Sequence, residues 1–212
     1  MAVADLRKSW TRLGVAFDEG FSRKGSIDLE RLIVDTCMDG ETDKRLLTGV
    51  RCWLFKHHDL VNVHRLIKFV KDVKETAILG ATIDALLERA PRSSLRHVRK
   101  HCVAGGESRI EFEAEEAVAD KDVVLRQNRS LALRALFGNS IRSEVLNYLM
   151  DHGEGNAHAI SLHINQTYQP VHLEMSRCEE IGLLDSMLRG QVRIYRLRRA
   201  LLRKALRLLF WR

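Results

Sequence analysis

The chain has 212 residues, of which 45% are hydrophobic and 30% charged, and its formal net charge is +7 at pH 7. This length allows one sizeable core or two small ones, and we expect two domains. No apolar run approaches the roughly 20 residues that span a bilayer, and the first residues lack the apolar region of a signal peptide. We therefore expect a cytoplasmic protein that does not bind membranes.

The first expected domain, residues 1–103, has the pattern of an all-α helical domain. Apolar residues recur there at helical spacing in six segments separated by short polar or glycine-containing breaks. The segments are 2–17, 28–38, 43–57, 60–73, 75–90 and 94–103. We expect this domain to carry dimerisation, effector sensing or the binding of a protein partner.

The sequence offers little for metal binding or catalysis. His97 and His101 lie four residues apart beside Cys102, but the neighbouring Arg96 and Lys100 oppose a bound cation, so we predict no metal site and no cofactor. The four cysteines are scattered without a CxxC pair and are expected to be buried, reduced thiols. Motifs such as GxSxG and HExxH are absent, and we do not expect an enzyme.

A change of composition marks residues 104–130 as an acidic connector. Lysines and arginines number four and acidic residues seven over 103–130. An interdomain linker fits this composition, although the alternation of Arg109 to Ala114 leaves a short strand possible.

Residues 131–197 show an ordered set of helix and turn signals. A helix is predicted over Ile141 to Met150, and a pair of short helices follows on either side of a turn near Asn165. The buried side of the second short helix is marked by Val171, Met175 and Cys178. Thr167 has the position of its N-cap, with a side chain able to accept a backbone N–H.

A hairpin is predicted after this helix pair. Gly182 suits a left-handed helix end, and residues 184–187 and 192–197 alternate around Arg189-Gly190, with Tyr195 in the return strand. The order of helices, turn, Glu-Glu-Ile-Gly-Leu and hairpin resembles winged helix-turn-helix transcription regulators of the ArsR and MarR type. Residues 136–142 also resemble the opening of winged helices beside bacterial nucleotidyltransferase and antitoxin modules, which implies a role in bacterial defence.

The resemblance implies that helix 167–180 enters the major groove of double-stranded DNA and that the wing, 184–197, follows the phosphate backbone. Leu173 departs from the family pattern, because an arginine or another polar residue is common there. The expected DNA-binding residues are Thr167, Tyr168, Gln169, His172, Ser176, Arg177, Arg189, Gln191 and Arg193.

Residues 198–212 are predicted to form a basic amphipathic helix; from residue 196 onward the chain holds seven lysines and arginines and no acidic residue. Its apolar stripe could pair with a symmetry mate or pack on the chain itself, and an anionic membrane is a weaker reading. The residues expected to make this dimer or packing contact are Leu197, Leu201, Leu208 and Leu209.

Together these signals predict a mainly α protein with an all-helical N-terminal domain and a C-terminal winged helix. The expected function is a DNA-binding transcriptional regulator, a homodimeric repressor or autoregulator. The alternative is a protein-interaction scaffold that binds a partner through Leu162, Tyr168 and Leu173. An exposed apolar patch around Leu162 and Leu173 would favour the scaffold, and arginines gathered on one face, Arg129 and Arg134 among them, would favour DNA.

Overall fold

The structure, a computed structural model, describes residues 2–17, 27–39, 43–103, 118–198, 200, 202 and 204. The chain divides into two compact units, Met1–Gln127 and Asn128–Arg212. The described residues are mainly helical and include one small antiparallel sheet, which confirms the mainly α class. None of the described helices combines the length and the apolar character needed to cross a membrane.

Helices dominate the first unit. Described there, with a short 3-10 helix at His58–Leu60, are α1 (Val3–Arg12), α2 (Leu29–Asp39), α3 (Lys44–His57), α4 (Val63–Lys71), α5 (Ala77–Arg89), α6 (Arg96–Arg99) and α7 (Lys121–Gln127).

The core of the first unit is built around two tryptophans. Trp10 of α1 and Trp53 of α3 are fully buried, and their ring centroids lie 5.5 Å apart in an edge-on arrangement. Each indole N–H has a partner: Trp10 Nε1 donates to Thr36 Oγ1 and Trp53 Nε1 donates to the carbonyl of Leu13, both at 2.8 Å. Burial of large aromatic rings with satisfied polar atoms gives this unit its largest apolar contribution.

Most helices of the first unit are shorter than their apolar patterns predict, whereas α2 has the predicted length. α1 ends at Arg12, since Gly14 adopts φ +88° and Val15 then forms an isolated antiparallel bridge with Val118. The predicted helix over 94–103 is reduced to α6, and the predicted helix over 60–73 becomes the 3-10 turn followed by α4.

The end of α3 holds the segment that leads into α7. Lys56 Nζ donates to the carbonyl of Val118 at 3.1 Å, and His57 Nε2 lies 3.0 Å from the carbonyl of Ala119, to which it donates. The other ring nitrogen of His57 is buried and has no hydrogen-bond partner among the described residues. Burial lowers the pKa of His57, because the interior disfavours the imidazolium.

The expected acidic connector is divided by the structure. Residues 104–117, which include the possible strand at 109–114, lie outside the described residues. Residues 118–127 belong to the first unit and contain α7, and the boundary between units falls after Gln127.

The second unit contains four described helices and three strands. They are α8 (Arg129–Phe137), α9 (Ile141–His152), β1 (Glu154–Gly155), α10 (Ala157–His163), α11 (Tyr168–Glu180), β2 (Leu184–Arg189) and β3 (Val192–Leu197). The strands form an antiparallel sheet in the order β1-β3-β2, so the hairpin predicted from sequence gains a third strand.

Local signals explain the turns of this unit. Asn156 caps α10 by accepting the Ala159 N–H at 2.8 Å, and Asn165 takes φ 52° between α10 and α11. Gly182 takes φ 75° after α11, the left-handed end expected from the sequence. Thr167 occupies the N-cap position of α11, but its side chain makes no capping hydrogen bond, so that part of the prediction is wrong.

The core of the second unit lies between α9, α10, α11 and the sheet. The predicted apolar positions Val171, Met175 and Cys178 are fully buried, as are Val145 and Ile160. All four cysteines are free thiols; three are buried and Cys102 is half-buried.

Gly155 lies where the sheet meets the helices. A Cβ atom there would stand 2.8 Å from Tyr148 Cε1, a distance that real Cβ atoms essentially never show, and 3.2 Å from Ile160 Cγ1, which is a tight contact. Strand β1 therefore reaches its place beside β3 because residue 155 has no side chain.

Candidate functional site

The solvent side of α11 begins with three exposed polar residues, Thr167, Tyr168 and Gln169. The opposite side is anchored by Val171, Met175 and Cys178, so the helix cannot rotate without exposing its buried stripe. His172, one turn later, and Ser176, two turns later, are half-buried, and Arg177 is exposed. The structure therefore places all six predicted residues of this helix on the solvent side or at its edge.

Tyr168 and His172 stack loosely on this face. Their ring centroids are 5.5 Å apart with an interplanar angle of 31°. Residues four positions apart on a helix are neighbours, and such a ring pair restricts the rotamers of both side chains. The hydroxyl and imidazole groups are thus presented in a defined arrangement at the start of α11.

Glu174 lies in the middle of α11 and is held by two arginines. Its Oε1 accepts Arg142 Nε at 2.6 Å, and its Oε2 lies 3.8 Å from Arg177 Nη1. These two guanidinium groups offset the charge of Glu174, which alone would repel an anionic partner. Burial, followed by the negative Glu174, raises the pKa of the Cys178 thiol to about 11, so this cysteine stays protonated at neutral pH.

The hairpin arginines are paired with carboxylates. Arg189 and Arg196 both bind Glu154, each with a closest distance of 2.6 Å, and Arg193 lies 3.5 Å from Glu179 of α11. The strand register brings this about, because Glu154 of β1 stands opposite Arg196 of β3. Hydrogen bonds from Arg196 and then Arg189 hold the pKa of Glu154 below its ordinary value, so it remains a carboxylate.

Two further arginines do not contribute to an open cationic face. Arg134 of α8 is buried against Glu144 of α9, with 2.7 Å between Nη2 and Oε1. Arg129 pairs with Asp151 at the end of α9. Both arginines join elements of the second unit, Arg134 in its interior and Arg129 at its surface.

Exposed apolar side chains interrupt the polar surface. Leu162 of α10 is 69% exposed and Leu173 of α11 is 50% exposed. Three more lie on the hairpin, namely Met187, Leu188 and Val192. Large apolar side chains left in water on neighbouring elements are a feature of protein-binding surfaces as well as of flanks that pack on DNA.

Few residues of the predicted terminal helix are described. Leu197 is buried and pairs across the sheet with Leu184, which places it in the core of its own unit. Leu202 is also buried, whereas Ala200 and Lys204 are exposed. The other three residues expected to make a dimer contact, Leu201, Leu208 and Leu209, lie outside the described residues.

The histidines singled out by the sequence are surface residues. His97 and His101 are exposed on and beside α6, and Cys102 is half-buried next to them. Within the described ranges, no group of three or more His, Cys, Asp or Glu side chains could hold a metal ion.

Glu154 is the residue that sequence reasoning missed. It comes directly after α9 and Gly153, where no local sequence pattern predicts a strand of two residues. Its partners Arg189 and Arg196 lie 35 and 42 positions later in the chain. Only the pairing of β1 with β3 brings the three side chains together.

Comparison with known proteins finds no family model that matches the chain, no similar curated protein and no similar solved structure. The function of the chain is therefore inferred from the residues of its second unit and from their geometry.

Proposed function

We propose that the second unit is a winged helix-turn-helix module that binds double-stranded DNA, and that the protein is a dimeric transcriptional regulator. α10 and α11 would be the helix pair, α11 the recognition helix and β2–β3 the wing. The observation that carries the proposal is the exposed, polar first turn of α11, held by a fully buried stripe and followed directly by a hairpin with arginines. This is the order in which such modules present a helix to the major groove.

The side chains at the start of α11 suit direct readout. The Gln169 amide can donate and accept at once, which matches the N6 and N7 edge of adenine. The hydroxyls of Thr167 and Tyr168 can donate to phosphate oxygens and fix the register of the helix. His172, one turn along, can bind either a base edge or a phosphate.

The ion pairs of the wing do not preclude phosphate binding. Exposed pairs such as Arg189 with Glu154 and Arg193 with Glu179 contribute little in water, because solvent and salt screen them. A phosphate oxygen can replace the carboxylate at similar distance, since both are anionic acceptors. The wing therefore positions the duplex, and its electrostatic contribution to affinity is modest.

The test is the preference of the full chain for the DNA upstream of its own coding region over a random duplex, measured by mobility shift. Gln169→Ala with Arg193→Ala should reduce this preference roughly tenfold, because the Gln169 base contact is worth about 1–3 kcal/mol of discrimination, while loss of the Arg193 phosphate contact weakens binding to specific and random duplex alike. Gln127→Ala with Arg126→Ala is the matched control, since it removes the same residue types from exposed positions of α7. Equal losses in both variants, or no preference in the wild type, would refute the proposal.

A second candidate is a protein-interaction scaffold, and the exposure of Leu162 and Leu173 favours it. Selection from a library of random duplexes separates the two candidates. Enrichment of one sequence supports DNA reading. Absence of enrichment, together with a protein complex that Leu162→Ser and Leu173→Ser abolish, supports the scaffold.

A further inference from the structure

The first unit carries a group of basic side chains at its surface, along residues 92–101 and the neighbouring helix α4. No acidic residue occurs between Glu88 and Glu107 in the sequence. We call the following residues the α4/α6 basic surface: His64, Lys71, Arg92, Arg96, His97, Lys100 and His101. All seven are exposed.

This surface is held in place by the core of the unit. Leu95 and Val98 are buried to 1% and 0% exposure, so the segment that carries the cations is anchored from beneath. At its end, the N–H of Val103 donates to Thr76 Oγ1 at 2.8 Å. The basic side chains are thus presented by ordered backbone, which lowers the entropy cost of binding a partner.

Helix α4 packs against α6 and adds its own cations to this surface. Its apolar side, with Leu66 and Val70, is buried, and His64 and Lys71 are exposed. The exposed acids of the same stretch are Asp72 and Glu75. Asp84 of the adjacent α5 forms an ion pair with Arg99, whose Nε donates to Asp84 Oδ1 at 2.6 Å.

The four lysines and arginines of the surface are not paired with any acid that the structure describes. Within the described part of the chain, Lys71, Arg92, Arg96 and Lys100 form no ion pair with an acidic residue. The positive potential of such a surface concentrates anions from solution.

We propose that the α4/α6 basic surface binds the phosphodiester backbone of duplex DNA without reading its sequence. The choice of DNA as the polyanion rests on the proposed function. A membrane fits less well, because Val103 is the only large apolar residue exposed over 91–103, where the chain is fully described. Peripheral membrane segments combine their cations with an apolar face that enters the lipid.

The proposal is tested with the full chain and a fluorescent random-sequence duplex, by anisotropy over a series of salt concentrations. In Arg92→Gln, Arg96→Gln, Lys100→Gln, three charges are removed while chain length and polarity are kept. The logarithmic salt slope changes by about 0.9 per phosphate contact, so it should fall by about 2 to 3. Affinity at low salt should fall roughly tenfold or more.

The control removes the same charge from other exposed positions. Lys8→Gln, Arg31→Gln, Arg126→Gln affects three cations that each pair with an acid of their own helix. Its salt slope should stay that of the wild type. If both triple variants lost affinity and salt slope equally, the effect would be one of net charge and the proposal would be overturned. Absence of duplex binding by the wild type would overturn it as well.

Two more measurements separate the alternatives. Binding to vesicles that contain phosphatidylserine, lost in the Arg92, Arg96, Lys100 variant while duplex binding is unchanged, would assign the surface to lipid and overturn the proposal. The preference for specific over random duplex should survive in that variant. If the wild type shows no such preference but the salt slope still falls in the Arg92, Arg96, Lys100 variant, the proposed regulator function is wrong and the proposal for the α4/α6 basic surface is supported.

Discussion

In the second unit, every arginine of residues 128–198 lies within 3.8 Å of a carboxylate, whereas Lys71, Arg92, Arg96 and Lys100 of the first unit form no ion pair within the described residues. The unit for which we propose DNA reading is thus close to electrically neutral at its surface. The unit without a recognised motif carries the open positive charge. The difference teaches that a lysine or arginine adds to a polyanion-binding surface only when no carboxylate is paired with it. A count of lysines and arginines therefore does not locate such a surface.

The largest expected effect comes from breaking the second unit while the first is left intact. Glu144→Ala leaves the buried Arg134 without its carboxylate partner, and removing one member of such a pair costs about 3 kcal/mol. We expect loss of the calorimetric transition of the second unit and of any preference for specific DNA, with salt-dependent binding to random duplex retained.

The control for this change is Asp185→Ala, which breaks an exposed pair with Arg198 and should leave the calorimetric transition of the second unit nearly unchanged. If Glu144→Ala also abolished binding to random duplex, the open positive charge of the first unit would not be sufficient to hold DNA.

A smaller effect concerns pH and the first unit. The pKa of His57 is lowered by burial, so the folded state resists protonation that the unfolded state accepts. Stability is therefore full above the unfolded pKa, near 6.5, and decreases as pH falls from there toward the folded pKa. Urea unfolding between pH 7.5 and pH 5 should show this decrease in the free energy of unfolding.

The matched variant is His57→Gln, whose amide can still donate to the carbonyl of Ala119. Its unfolding free energy should vary less with pH than that of the wild type over this range. An identical pH dependence in both proteins would assign the effect to other groups, and His57 would have no part in it.

The smallest expected effect comes from removing a carboxylate partner in the second unit, so that two of its arginines become available to DNA. Glu154→Gln releases Arg189 and Arg196 from their shared carboxylate, and we expect random-duplex affinity to rise a few-fold and the salt slope to steepen by up to about 2. Glu180→Gln removes an equal charge from an exposed acid of α11 and serves as the control. Anisotropy titration measures both, and equal gains would contradict a specific role for the Glu154 pairs.

The sequence predicted what depends on neighbours within one or two helical turns. Val171, Met175 and Cys178 were assigned to the core because their spacing matches the helical repeat, and they are buried. The left-handed Gly182 followed from the need to end α11 before the hairpin. The sequence likewise supplied the candidate residues on the outer side of α11.

What depends on distant pairing could not be predicted. The early end of α1 involves the bridge between Val15 and Val118, which are 103 positions apart in the chain. The carboxylate partners of Arg189, Arg193 and Arg196 are set by strand register and helix packing, which no local pattern encodes. The hairpin looks basic in the sequence, but carboxylates neutralise its arginines in the folded unit.

The absence of a side chain at Gly155 affects whether the hairpin arginines Arg189 and Arg196 are paired with Glu154. A methyl group at that position would collide with the ring of Tyr148, and either the ring or the short strand would have to move. Displacement of the strand would carry the Glu154 carboxylate away from both guanidinium groups. The missing side chain thus leaves room for the strand position in which two cations are masked, and a larger side chain that displaced the strand would alter the electrostatics of the hairpin without changing a single charged group.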